Sequence, residues 1–179
     1  MGNLLRMKDG PAHPSAPLAE LEWMEGALPR SLRFGDTYYS RHGGLAETGH
    51  VFIGWNLLRE RWPTMRSCHI AELGFGTGLN FLETARQWRD RRVPGQTLHF
   101  RSFEAYPMHA WDLERAHSPW PELARLSSRL LAGWNPSGEA LSLELDEGVL
   151  LTIHFGDALT MLRKTDFQAD AWYLDGFAP

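Results

Sequence analysis

The 179-residue sequence predicts an α/β chain built on a mostly parallel sheet covered on both faces, and three observations carry that reading. From about residue 67 onward, short apolar runs alternate with stretches of helical period. A glycine cluster directly follows the first of those runs, where a strand would end and a helix open. The composition is globular: 43% hydrophobic and 22% charged residues exclude disorder and fibre. A chain of this length removes roughly 70% of its unfolded surface from water, enough for a real core.

The elements follow in order. Residues 1–17 are polar, with Pro11, Pro14 and Pro17 spaced three apart, and read as a flexible N-terminal arm. Between Leu18 and Tyr39 the alternations Leu21-Glu22-Trp23 and Leu32-Arg33-Phe34 predict two strands split by the Pro29 region. Gly43-Gly44 opens a predicted helix of about five turns. Its apolar stripe of Val51, Trp55, Leu58 and Trp62 points to core packing, and Pro63 stops it. Cys68–Leu73 is a short buried strand, Thr77–Trp88 a helix, and Thr97–Phe103 the next strand. His109–Leu131 holds one or two helices broken by Pro119 and Pro121. Leu141–Leu145 and Val149–Phe155 flank Asp146-Glu147-Gly148 as a hairpin-like pair. Asp157–Arg163 is a short helix and Ala171–Leu174 the fourth candidate parallel strand.

Charge and composition narrow the function. Eighteen basic against twenty-two acidic side chains give a net charge of −4, so a nucleic-acid partner needs a local basic patch. No apolar run approaches the roughly 20 residues needed to span a bilayer, and the cytoplasm is the expected compartment. The single cysteine, Cys68, excludes a disulfide framework and the usual zinc spacings, and reads as an inert core residue. Eight histidines without a His-Glu-x-x-His motif or a clustered pair predict no metal site.

The most informative stretch is Glu72-Leu73-Gly74-Phe75-Gly76-Thr77-Gly78-Leu79-Asn80. It lies at the carboxyl end of a strand, where open α/β sheets bind ligands. The bland alternative is a strand-to-helix turn that merely needs positive φ. A dinucleotide fingerprint reads G-x-G-x-x-G, whereas the third glycine comes one residue early here. No phosphate-loop lysine follows Gly78. Glu72 would repel a pyrophosphate but could accept hydrogen bonds from a cationic aminoacyl group. S-adenosylmethionine carries an ammonium and a sulfonium and no phosphate, so the loop favours it over NAD.

Two further acids fit that cofactor. Glu104 ends the next strand, where a carboxylate can take both ribose hydroxyls, a position that serves NAD equally. Asp157 follows the third strand and either meets the adenine amino group or caps the next helix, and the two roles are compatible. At the fourth strand end stands Asp170-Ala171-Trp172-Tyr173-Leu174-Asp175-Gly176-Phe177-Ala178-Pro179. Amine methylation needs the acceptor nitrogen presented as a free base, with its lone pair aligned on the methyl carbon. Asp175 is the candidate to orient that amine and receive its proton, and an aromatic wall such as Phe177 can hold a planar base. The alternative for Asp175 is an Asx-turn.

Four motifs in order then resemble a known family: Phe34-Gly35-Asp36-Thr37-Tyr38-Tyr39-Ser40, Gly44–Phe52, Glu72–Phe81 and Asp170–Pro179. From about residue 18 to the end the chain is similar to the MnmC methyltransferase domain and its stand-alone form, MnmD. The resemblance implies a Rossmann-like class I S-adenosylmethionine-dependent methyltransferase fold with an N-terminal β/helix extension. It implies methylation of the exocyclic amine of 5-aminomethyl-2-thiouridine at the tRNA wobble position. It also implies cofactor roles for Glu72, Gly74, Gly76, Gly78, Glu104 and Asp157, with Asp175 beside the methyl group. Tyr38 and the Glu47–His50 segment match N-terminal motifs that would close over the cofactor. In MnmC a flavin-dependent oxidoreductase domain follows, and here it is expected to be separate or lost.

The expected organisation is an arm (1–17), an extension over the cofactor cleft (18–66) and a Rossmann-like core (67–179) holding the first four parallel strands. Ending directly after the fourth strand, the sequence reads as either a fragment or a short relative with an open sheet edge. An open edge predicts self-association. Among the arginines, Arg86, Arg89, Arg91 and Arg92 complement a helix dipole, whereas Arg30, Arg33 and Arg41 are the better phosphate candidates. Two readings compete with a tRNA methyltransferase: an NAD(P)-dependent oxidoreductase, and a truncated binding module that transfers nothing.

Overall fold

The computed structural model describes residues 16–40 and 43–175. The strands are β1 (Leu21–Met24), β2 (Leu28–Ser31), β3 (Ser67–Leu73), β4 (Thr97–Glu104), β5 (Ala140–Asp146), β6 (Val149–Phe155) and β7 (Ala171–Leu174). The α-helices are α1 (Gly44–Glu47), α2 (Leu58–Arg61), α3 (Leu79–Arg89), α4 (Ala110–His117), α5 (Ala124–Gly133) and α6 (Ala158–Lys164).

Five strands form the main sheet in the order β5-β6-β4-β3-β7. β6, β4, β3 and β7 run parallel, and β5 folds back antiparallel on β6 through the expected hairpin. The order reverses at β3, the first strand of the parallel set. The chain runs outward to β4 and β6, then returns to place β7 on the other side of β3. The carboxyl ends of β3 and β7 therefore open beside one another, at the switch point where such sheets bind ligands.

One face of the sheet packs against α3 and α5. Phe81 meets Phe100 edge-on at 5.2 Å, and Trp62 meets Trp88 at 5.6 Å. All four are buried, with Leu82, Leu98 and Tyr173 beside them. The other face carries α6 and the 165–170 segment among the described residues. There His69 and His99, paired in register on β3 and β4, stack at 4.5 Å. The sequence therefore does contain a histidine pair, hidden because its members are thirty positions apart. No group of three or more metal-binding side chains occurs among the described residues. Cys68 is buried, and burial pushes its thiol up to about 11, the inert core role expected of it.

The N-terminal region differs from expectation in two places. The second strand comes earlier, at Leu28–Ser31, and contains Pro29 rather than following it. Pro29 is tolerated because this hairpin is only two strands wide, so a lost donor breaks no interior ladder. The five-turn helix is also interrupted. Residues Thr48–Gly54 are wound as a π-helix, and Leu57 sits in the left-handed region at φ 52° before α2 begins. Wide turns insert about one extra residue per turn and rotate the apolar stripe. Ile53 goes inward instead of Val51, and Trp55 is 74% exposed while Trp62 remains fully buried. Polar side chains take carbonyls along this stretch: Arg59 donates to Gly49 O at 2.8 Å and Asn56 to Phe52 O at 2.8 Å. Gly49 leaves the room, since a Cβ there would stand 3.2 Å from Arg59 and Gln87.

The hairpin docks on the main body near the end of β4. Ala19 N donates to Pro107 O and Trp23 Nε1 to Asp112 on α4, and the Tyr39 hydroxyl lies between Ala27 O of the hairpin at 2.8 Å and Ala116 O of α4 at 3.3 Å. Among the described residues no helix is long and apolar enough to cross a membrane.

The rotated stripe gives a direct test by chemical denaturation. Trp62→Ala should lose about 3–5 kcal/mol of stability, whereas Trp55→Ala should stay within about 0.5 kcal/mol of the parent. Comparable losses at the two positions would contradict the π-helical phase.

Candidate functional site

β3 delivers its last residues into the glycine loop, which Gly74 N ties to Phe103 O of β4 at 2.9 Å and which Gly78 N closes as a turn on Phe75 O at 2.7 Å. Gly76 and Gly78 both have positive φ, at 53° and 73°. A Cβ on Gly78 would lie 2.6 Å from the Phe75 ring, and one on Gly76 would lie 3.0 Å from the Tyr38 ring. The first glycine lets Phe75 fold under the helix start, where it stacks on Trp134 at 5.6 Å. The second lets the N-terminal extension close down on the loop. His117, buried on α4, holds the loop from behind, its Nε2 2.7 Å from Thr77 O and its Nδ1 2.7 Å from Ser127 Oγ. A carbonyl only accepts, so Nε2 carries the proton, and burial lowers the pKa of this imidazole.

Above the loop lies a cleft of about 380 Å³. Its floor is Gly74, Phe75, Gly76, Thr77 and Asn80; one wall is Glu104 and Tyr106; the roof is the 34–40 and 44–52 segments of the extension; and Asp175 stands at one end, exposed. Four carboxylates line it, from Asp36, Glu47, Glu104 and Asp175, and no Lys or Arg does so among the described residues. Glu104 is buried and accepts from Gly76 N and Tyr106 N, both at 2.7 Å. Burial raises its pKa against those bonds. Tyr38, over the loop, is pushed up to about 12 by burial and by the nearby Glu104.

Glu72 lies beneath this floor rather than in it. It is fully buried, with Ser102 Oγ donating at 2.8 Å and Asn80 Nδ2 at 3.2 Å. The same Asn80 amide donates to Asp175 Oδ2 at 2.8 Å. Its carbonyl oxygen stands 2.7 Å from the hydroxyl of Thr48 in the π-helix. Burial holds the Glu72 carboxyl well above its ordinary value despite the two donors, and Asp175 and Glu104 add to the effect. Asp175 is raised by burial and by Glu47, against the bond from Asn80.

The structure thus gathers Tyr38, Gly74, Gly76, Glu104 and Asp175 around one cleft. Three candidates stand elsewhere. Glu72 and Gly78 lie under the floor, and Gly78 occupies the positive-φ turn that starts α3. Asp157 caps α6, accepting from Thr160 N at 2.9 Å and Thr160 Oγ1 at 2.8 Å, and does not line the cleft. Phe177 and Arg41 lie outside the described residues. Arg30 is tied to Glu22 and Gly35 O, and Arg33 lies over the Tyr106 ring at 4.4 Å, beside the cleft mouth. Arg86 and Arg92 pair with Glu83 and Glu147, away from the cleft. Sequence reasoning gave no role to Asn80 or His117 and touched Thr48 only within the Glu47–His50 segment. Asn80 stood inside the quoted motif, but its role depends on contacts with residues 32 and 95 positions away.

Comparison with known proteins agrees with this geometry. A family model described as S-adenosyl-L-methionine-dependent methyltransferase matches residues 121–179. The tRNA 5-methylaminomethyl-2-thiouridine biosynthesis bifunctional protein MnmC of Methylobacillus flagellatus is 46% identical over 171 residues. The match covers 93% of this chain and 26% of that protein. MnmC of Marinobacter nauticus is 47% identical over 174 residues, 93% of this chain and 27% of that protein. The chain is similar to the MnmC methyltransferase domain. It spans about a quarter of the length of these curated relatives. The crystal structure of MNMC2 from Aquifex aeolicus matches with a TM-score of 0.65 at 20% identity, covering 93% of this chain and 52% of that one. The fold is therefore the Rossmann-like one of S-adenosylmethionine-dependent methyltransferases, and the cofactor is that family's, S-adenosyl-L-methionine.

The residues present fit that group. A cleft lined by carboxylates without a cation suits a ligand carrying an ammonium and a sulfonium, and opposes a pyrophosphate. The glycine floor gives the ligand backbone to approach, and Glu104 ends the strand where a ribose would be held.

The buried Glu72 generates a pH prediction. Its folded pKa lies above its unfolded one, so its contribution to stability is complete below the ordinary value of 4.5 and is lost as pH rises through the folded value. Glu72→Gln stays neutral and keeps the shape. Its thermal midpoint should therefore rise relative to the parent between about pH 4 and pH 8. A constant offset across that range would contradict a raised Glu72.

Proposed function

We propose that this chain transfers a methyl group from S-adenosyl-L-methionine to the aminomethyl nitrogen of 5-aminomethyl-2-thiouridine at the tRNA wobble position. The observation that carries the reading is the acidic cleft at the ends of β3, β4 and β7, whose described lining holds four carboxylates and no fixed cation. The relatives' name, with its 5-methylaminomethyl-2-thiouridine product, supports the choice of acceptor. The loop spacing and the acidic lining argue against a nicotinamide dinucleotide.

When bound, the cofactor supplies the methyl group on a sulfonium that departs as a neutral thioether. The chain supplies position and proton acceptance. Glu104 holds the ribose hydroxyls, and Gly74 and Gly76 keep the floor low. Glu72 bears on the cofactor's ammonium through the floor rather than by contact. Asp157 serves the adenine side from the α6 cap. The extension over 18–66 covers the cleft, with Tyr38 over the loop.

Asp175 faces the open end, where an acceptor amine enters as an ammonium ion. Its carboxylate orients the amine, takes its proton and passes it to solvent, leaving a free lone pair for transfer. Phe177 is the aromatic that the sequence offers as a wall for the acceptor base. Glu47, across the cleft mouth, adds negative potential that draws the ammonium inward. Arg33, exposed beside the mouth, suits a flanking phosphate. A flavin-dependent oxidoreductase domain, separate from these 179 residues, prepares the amine, and both reactions belong to the cytoplasm. β7 is paired on one side only among the described residues, which supports pairing with a second copy; an ultracentrifuge dilution series reads that point.

The test is single-turnover methylation of undermodified tRNA. Asp175→Ala should keep cofactor affinity and lose about 100-fold or more in transfer rate. Equal loss of cofactor binding and transfer would make Asp175 a cofactor ligand or a structural residue. Absence of transfer by the unsubstituted chain, with cofactor saturating, would favour a binding module.

A further inference from the structure

Asp175 stands at the open end of the cleft, one residue past β7. One neighbour is specific. Asn80, in the first turn of α3, donates from a single NH2 group to Asp175 Oδ2 at 2.8 Å and to Glu72 Oε1 at 3.2 Å. An amide has two donor hydrogens and two acceptor sites. Both donors are used on carboxylates, which is the strong form of the bond.

The direction of the amide is itself fixed. Thr48 Oγ1 lies 2.7 Å from Asn80 Oδ1 and 3.0 Å from Gly44 O. The hydroxyl has one proton for these two acceptors; the Gly44 carbonyl also takes the Thr48 N–H, and the amide oxygen is the nearer of the two. With its oxygen held by a donor, the NH2 end must face the two acids. Thr48 is brought there because α1 packs closely on α3: a Cβ on Gly44 would stand 2.7 Å from Leu79 Cδ2. Thr48 is 2% exposed, so its end of the arrangement is shielded from competing water, while the Asn80–Asp175 bond lies at the surface of the cleft.

We infer that Asn80, oriented by Thr48, is the positioning residue that holds the Asp175 carboxylate ionised and aimed into the cleft. The role rests on the methyl-transfer reading above and acts through Asp175; Asn80 itself does no chemistry. The groups that face Asp175 are Glu47 from the end of α1, Glu72 from β3 and Asn80 from α3, with Glu104 of β4 further along the cleft. All but the amide are acids. Without its donor, Asp175 is left among like charges and takes up a proton at higher pH. A protonated Asp175 cannot accept the proton of the incoming ammonium. The effect on transfer should therefore be greatest at the acidic end of the pH range.

Two readouts on the full chain test this, and one needs no turnover. The first is the titration of the Asp175 side-chain carboxyl by carbon NMR, assigned by its loss in Asp175→Asn. The midpoint should rise in Asn80→Ala, and rise further in Asn80→Asp, which keeps the shape but replaces the donor with an acid. Thr48→Val should give a smaller rise in the same direction. The second is the pH profile of methyl transfer. Its acidic limb should move up in Asn80→Ala, with at least about a tenfold loss below the limb, while affinity for S-adenosylhomocysteine changes less than about threefold. Rates that fall by one factor at every pH, or an Asp175 midpoint that stays put in folded Asn80→Ala and Asn80→Asp, would overturn the inference. If the midpoints move as stated but the unsubstituted chain transfers no methyl group, the methyl-transfer reading fails and the Asn80–Asp175 bond stands.

Discussion

Like charge withdrawn from water without a cation is the constraint on which the cleft depends. Glu72 and Glu104 sit at the carboxyl ends of neighbouring strands, both buried, and Asp175 approaches from the next strand over. No Lys or Arg stands among the described cleft-lining residues. Acids gathered so closely need hydrogen-bond donors, and the chain supplies neutral ones: Ser102 and Asn80 for the buried Glu72, backbone N–H groups for the buried Glu104, Asn80 for the more exposed Asp175. Neutral donors keep the acids in place without adding a positive charge. A cationic ligand then finds an acidic surface already assembled, and its arrival relieves the repulsion among the carboxylates.

The rest of the architecture serves that arrangement. The parallel order β6-β4-β3-β7 brings the strand ends carrying Glu104, Glu72 and Asp175 to one side of the sheet. The glycine loop keeps the floor low enough for the extension to close, as the near contact of Tyr38 with Gly76 shows. The π-helix places Thr48 on the amide of Asn80 while sending Ile53 into the core. A regular helix would have preserved the four-three-four stripe written in the sequence and turned Trp55 inward. That an irregular turn lies beside the site agrees with where such turns usually occur.

The main sheet was legible because its signals are local. β3, α3, β4 and the β5–β6 pair fall within a few residues of where periodicity and the Asp-Glu-Gly turn put them. The N-terminal extension was less so. Pro29 suggested a break, yet a two-stranded hairpin tolerates it, and an apolar stripe at helical spacing gave no sign of the wide turns. At the site, Glu104 and Asp175 were readable from strand ends, where side chains meet ligands. Glu72 reads as a cleft residue from its motif but lies one layer below, since a strand residue two positions before the glycine points into the sheet's packed face. Asn80, Thr48 and His117 were invisible for a different reason. Each acts through contacts between segments 32 to 95 residues apart, and no spacing along the chain encodes which distant carboxylate an amide will meet.

The claim at the centre is that an acidic cleft held by neutral donors selects a cationic, phosphate-free nucleoside. Isothermal titration of the chain with S-adenosylmethionine, S-adenosylhomocysteine and NADH tests it most directly. Saturable one-to-one binding of the two adenosyl ligands, and none of NADH at the same concentrations, is the predicted result. Binding of NADH in preference to either adenosyl ligand would contradict it.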